Sequence, residues 1–118
     1  MKDERKVIRV VASGVPEHYP DVQIYDSTIA KLKDKHPEEH SRLDDVFDTI
    51  TNPHKIYKSK THSTSVTLIN ETSTSKGGDP LRVAVKLTSG GNAAIMSTAH
   101  FTSTADQGEL LWSRKEDE

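Results

Sequence analysis

The chain has no cysteine. That excludes disulfides and thiolate-bound zinc, and it is compatible with a reducing compartment. No apolar run is long enough to cross a bilayer. The opening MKDERKVIRVVAS is charged and lacks the apolar stretch and small-residue cleavage site of a secretion signal. These absences lead us to expect a cytoplasmic protein with no membrane partner. Apolar residues are scarce, at 32% against 29% charged, so the core must be small and the surface polar. There is no glycine-rich phosphate loop, no G-x-S-x-G elbow and no H-E-x-x-H, so the signatures of three large enzyme classes are missing. No cofactor is indicated.

With 118 residues, the chain suits one domain over 1–118. Its core is expected at about 24–112, with an N-terminal strand at 7–12 and a charged tail at 113–118. Net charge is −2, but it is unevenly spread. Between Asn52 and Ala105 six bases face two acids, a local +4, which leaves −6 for the rest. A basic half can give a polyanion a footprint. Lysines on solvated strand edges, where they block sheet-to-sheet pairing, account for the same numbers.

Periodicity divides the chain at Asn52-Pro53. Before it, Val7 to Ala12 reads as a strand that Ser13-Gly14-Val15-Pro16 ends, and Gln23 to Tyr25 as a short extended piece. A helix near 27–36 carries Ile29 and Leu32. A second, near 38–50, begins after Pro37 and places Leu43, Val46, Phe47 and Ile50 at i, i+3, i+4 and i+7. After Pro53 the pattern alternates. HKIYKSK (54–60) and SVTLIN (65–70) form a hairpin, and Leu81–Leu87 and Ala93–Thr102 form another across a Ser-Gly-Gly-Asn turn. A turn at Thr104–Gly108 leads to a short closing strand over Glu109–Trp112. The expected architecture is α+β: two N-terminal helices on one face of an antiparallel sheet of four or five strands.

Alternation assigns faces. Leu81, Val83, Val85 and Leu87 share one side, leaving Arg82 and Lys86 on the other. Thr98, His100 and Thr102 share a side, opposite Ser97, Ala99 and Phe101. An imidazole, hydroxyls and two cations on one sheet face suit a phosphodiester. Threonine is also a favoured strand residue, so such a face needs no function to exist. Ser59 points opposite to Lys58 and Lys60, which either neutralise phosphate or guard an edge. His36, at a helix junction, is a candidate acid or base, with a surface or capping role the alternative. His36 and His40 have the spacing of a two-histidine metal site on one helix. Pro37 interrupts that helix and no third ligand stands out, so no metal is expected.

The order of KHPEE, DVFDTITNPHKIYKSK, LRVAVKL and STAHFTSTADQGELLW resembles phage-associated nuclease domains of the barnase–EndoU–colicin E5/D–RelE-like superfamily. The likeness covers roughly Ile24 to Trp112. It rests on a histidine in the first helical region, an I-x-N-P-x-x-I helix exit, a strand ending in lysine, and T-A-x-F-T before G-x-x-L-W. The resemblance implies a barnase/RelE-like fold and metal-independent RNA cleavage by 2′-hydroxyl attack on phosphorus. It marks His36, Ser59, Lys86, Thr98 and Thr102 as catalytic positions, with Lys58, Lys60, Arg82 and His100 available to bind substrate. In this reading His36 is the acid or base, the cations stabilise charge, and Ser59, Thr98 and Thr102 orient the phosphate. The implied partner is RNA, with a protein inhibitor or phage structural protein as a further partner and delivery with a phage or mobile element as an alternative setting. The acidic overall balance departs from the basic character of such ribonucleases. It fits two rivals: a non-catalytic protein-binding module, and an immunity-like protein whose acidic half mimics nucleic acid.

Overall fold

In a computed structural model of the protein, residues 6–60, 62–102 and 108–114 are described. The elements run β1 (Val7–Val11), β2 (Val22–Tyr25), α1 (Asp26–Lys35), α2 (Pro37–His40), α3 (Leu43–Thr51), β3 (Lys55–Lys58), β4 (Ser65–Thr74), β5 (Pro80–Thr88), β6 (Ala93–Phe101) and β7 (Leu110–Ser113). The strands make one seven-stranded sheet in the order β1-β2-β6-β5-β4-β3-β7. Every neighbouring pair is antiparallel except β2–β6, which is parallel.

The α+β class stands, with helices packed on a sheet. The sheet corrects the expected four or five antiparallel strands: it is larger and mixed. Two strands given no place in it, β1 and β2, extend one end, and the expected closing strand, β7, forms the other. Pairing between strands far apart in sequence depends on tertiary packing, which alternation within a strand does not encode. Of the turn expected over Thr104–Gly108 and the tail expected over 113–118, residues 104–107 and 115–118 lie outside the described residues.

The helical region also differs from the expected pair. The second helix is broken into α2 and α3 at Ser41-Arg42, where Arg42 leaves helical geometry (φ −129°, ψ 44°). No proline or glycine marks this break. Arg42 spends its guanidinium on distant partners instead. It donates to the Thr74 carbonyl at 2.6 Å, to Ser73 Oγ at 2.9 Å and to Asp45 Oδ2 at 3.1 Å. It also lies over the Phe101 ring, 4.8 Å from the centroid. Charge-assisted bonds of this kind favour a local break over one more helical turn.

The helix-facing side of the sheet follows the alternation. Leu81, Val83 and Val85 of β5 pair with Phe101, Ala99 and Met96 of β6, and all six are buried. Val66 and Leu68 of β4, Ile56 of β3 and Val22 and Ile24 of β2 extend the layer. Val46 and Ile50 of α3 and Leu32 of α1 close over it, while Leu43 and Phe47 are only half-buried at its margin. Each fully buried Leu or Ile contributes about 1.5–3 kcal/mol. Among the described polar groups the core holds Asn70, whose side chain donates to Thr49 Oγ1 at 3.2 Å. Its Oδ1 accepts the N–H groups of Thr72 and Ser73, which builds the irregularity in β4 between Asn70 and Thr74.

Candidate functional site

β2 accompanies β6 only briefly, pairing Val22 with Ala94 and Gln23 with Ile95. At Asp26 the chain turns into α1, so that among the described residues the rest of β6 has no strand on that side. Helix residues take the strand's place. Thr28 directs its hydroxyl at the Met96 carbonyl, 3.5 Å away, and Glu39 Oε2 accepts the Phe101 N–H at 2.7 Å. The α1–α2 junction is thereby fixed against the end of β6. Pro37 forces His36 out of helical geometry (φ −137°, ψ 64°), and its ring meets that of His100, with centroids 4.7 Å apart and planes tilted by 53°. A crevice of about 30 Å³ between α1 and β6 is lined by Lys31, Lys35, His36, Ser97 and Thr98 among others.

A bulge in β6 sets what this face presents. Ala84 pairs with Thr98 and Val85 with Met96, so Ser97 is extra. Met96 and Ala99 therefore both face the helices, and Ser97, expected to share the side of Ala99, is exposed. Beyond the bulge, Thr98 and His100 lie on the helix-free face. Cross-strand neighbours on that face form rows. His100 sits opposite Arg82, which sits opposite Ile69, which sits opposite Lys55. In the next row Thr98, Ala84, Thr67 and Tyr57 follow one another.

Arg82 is 7% exposed and its Nε donates to the Thr102 carbonyl at 2.8 Å. Burial lowers its pKa from the usual value, and the neighbouring Tyr57 opposes that shift. A guanidinium already stripped of water acts on an anion more strongly than one in bulk solvent. Lys55, in the same row, is engaged by Glu71 at 3.0 Å, and that bond raises its pKa.

Five of the residues singled out in the sequence therefore share the helix-free side or its rim: His36, Arg82, Lys86, Thr98 and His100. They do not form one pocket. Lys86 pairs with Ile95, four residues along β5 from Arg82, or roughly 13 Å at strand rise. It lines a separate depression of about 530 Å³ with Ser63, Thr64 and Gly90. Ser59 is buried beyond the end of β3, where its N–H donates to the Ser65 carbonyl and its Oγ accepts the His62 N–H. Ser65 pairs with Lys86, so Ser59 belongs to that far end too. Thr102 follows β6, and its backbone carbonyl serves Arg82. Lys58 pairs with the core residue Val66 and so lies on the opposite side of the sheet from Arg82. Period two puts it out of step with Tyr57, away from the face that carries Arg82 and His100. Lys60 is exposed in the connection to β4, outside any strand.

Sequence reasoning passed over Glu39, Arg42 and Tyr57. Tyr57 could have been found, because it shares the parity of Ser59 in HKIYKSK. Glu39 carries one signal, its position three residues after His36 and just beyond Pro37, which returns it to the same side of a single turn. Nothing in the sequence marks Arg42. Comparison with models of known families, with curated proteins and with solved structures finds no match to any of them.

Proposed function

We propose that the helix-free face is an RNA-cleaving site acting on the phosphodiester without metal. The observation that carries this reading is the pair His36 and His100, 4.7 Å apart, with Arg82 directly across from His100. One imidazole removes the proton of the ribose 2′-hydroxyl. The 2′-oxygen then bonds to phosphorus, the bond from phosphorus to the 5′-oxygen breaks, and the second imidazole protonates that oxygen. A 2′,3′-cyclic phosphate and a 5′-hydroxyl result. Arg82 stabilises the charge that builds on the non-bridging oxygens, and Thr98 orients the phosphate. Lys86, too distant for the reacting phosphate, holds a flanking one in this scheme. The resemblance of the chain to metal-independent nuclease domains supports the same chemistry.

The test is incubation of the purified protein with RNA in EDTA, scored for cyclic-phosphate ends, beside a substrate carrying deoxyribose at the cut site. Cleavage of the first and survival of the second is the expected result. Wild-type protein that neither cuts nor binds RNA at low salt overturns it. A non-catalytic protein-binding module is then the better reading. One observation favours that alternative: edge strand β1 leaves Val7, Ile8 and Val10 exposed, at 44%, 56% and 58%.

A further inference from the structure

His36, Glu39 and His100 come from the α1–α2 junction, α2 and β6, and their ligand atoms all lie within 4.8 Å of one another. We propose that they bind one divalent transition-metal ion of borderline softness, with zinc(II) the best fit. Two imidazoles and a carboxylate are a common zinc donor set, leaving a fourth position for water.

The geometry favours this in two independent ways. Four ligands at zinc bond lengths of about 2.0–2.2 Å sit roughly 3.3–3.5 Å apart, so the three groups must draw in by little more than an ångström. The two that must move can do so: His100 is exposed, and His36 is half-buried outside helical geometry. The third is already fixed. Glu39 is 5% exposed and anchored through Oε2 to the Phe101 N–H at 2.7 Å, which leaves Oε1 as the ligand. A carboxylate oriented by a backbone donor is how metal sites hold their acid ligands. The histidine pair visible in the sequence, His36 and His40, is not the pair that meets: His40 lines the turn with Arg42 and Asp45 instead.

The proposal does not rest on the ribonuclease reading, because binding is measured directly. If both hold, the ion occupies the two acid–base imidazoles, and zinc inhibits cleavage that EDTA restores. The experiment titrates untagged full-length protein with zinc chloride by calorimetry, beside magnesium chloride. The expected result is one saturable zinc site per chain and no magnesium binding. His36→Ala and His100→Ala should each weaken zinc at least about 10-fold, the scale at which even ligand-orienting groups matter. Glu39→Gln should weaken it as well while keeping the Phe101 bond through its amide oxygen, so loss of fold does not confuse the result. His40→Ala should bind like wild type. Absence of stoichiometric zinc binding, or affinity that survives both His36→Ala and His100→Ala, overturns the site.

Discussion

Glu39 and Phe101 are joined by a hydrogen bond of 2.7 Å from a strand N–H to a helix carboxylate. The bond sits where a continuing β2 would have paired with β6. It satisfies a buried backbone donor and fastens α2 to the sheet. Glu39→Ala should cost about 1–3 kcal/mol, because the Phe101 N–H loses a charged acceptor. Denaturant unfolding gives the free energy, and hydrogen exchange at Phe101 should accelerate selectively. Unchanged exchange at that amide would show that the carboxylate does not hold it.

Tyr19 is 1% exposed, and its hydroxyl donates to the Ile50 carbonyl. Burial pushes its pKa from 10.0 up to about 12. The folded state therefore keeps a proton that the unfolded state releases near pH 10. Stability from this group is complete below about pH 10 and falls as pH rises toward about 12, by about 2–3 kcal/mol in all. Tyr19→Phe should flatten that alkaline loss. Its cost at neutral pH should be only about 0.5–1.5 kcal/mol, since the Ile50 carbonyl still accepts the Gly14 N–H at 3.2 Å. Denaturant midpoints measured from pH 8 to 12 separate the two effects.

Gly14 is exposed, yet a Cβ there would stand 1.8 Å from the Thr51 carbonyl oxygen. Backbone, rather than a movable side chain, is in the way. Gly14→Ala should destabilise by about 1–3 kcal/mol by forcing β1's exit away from the end of α3. A thermal midpoint equal to that of wild type would mean the two segments separate freely.

Ile50 and Phe47 belong to the same apolar stripe but not to the same depth. Ile50 is 0% exposed, whereas Phe47 is half-buried and covered by the Arg9 guanidinium at 4.7 Å. Ile50→Ala should cost about 2–5 kcal/mol. Phe47→Ala should cost less, despite removing more carbon, because water already reaches the ring. Equilibrium unfolding of the two variants ranks them.

On the ribonuclease reading, His36→Ala and His100→Ala should each slow cleavage by about 10²- to 10⁴-fold. Lys86→Ala should mainly weaken binding and reduce its salt dependence, as loss of one phosphate contact does. Lys58→Ala, on the opposite side of the sheet, should leave the rate unchanged. Single-turnover kinetics across a salt series read all four. A Lys58 variant as damaged as the His36 variant would put the substrate elsewhere.

Much of the local structure was legible. The stripe Leu43–Val46–Phe47–Ile50 announces a helix, and Asn52-Pro53 its end, because helical period and the restriction before proline act within a few residues. The parity of Leu81, Val83 and Val85 against Arg82 and Lys86 was legible for the same reason. Parity failed within β6, where the bulge at Ser97 shifts the count by one. It also missed the break at Arg42, which is stabilised by Ser73 and Thr74, some thirty residues away.

By itself, then, the sequence determined which residues turn inward along each regular segment, since side-chain period is a property of the local backbone. The tertiary structure decided which strands lie side by side, that β2 runs parallel to β6 and stops short, and that Glu39 fills the gap. It therefore also decided that His36 meets His100 and not His40. Those outcomes depend on packing and hydrogen-bond satisfaction between segments distant in the chain, and no spacing within a segment encodes them.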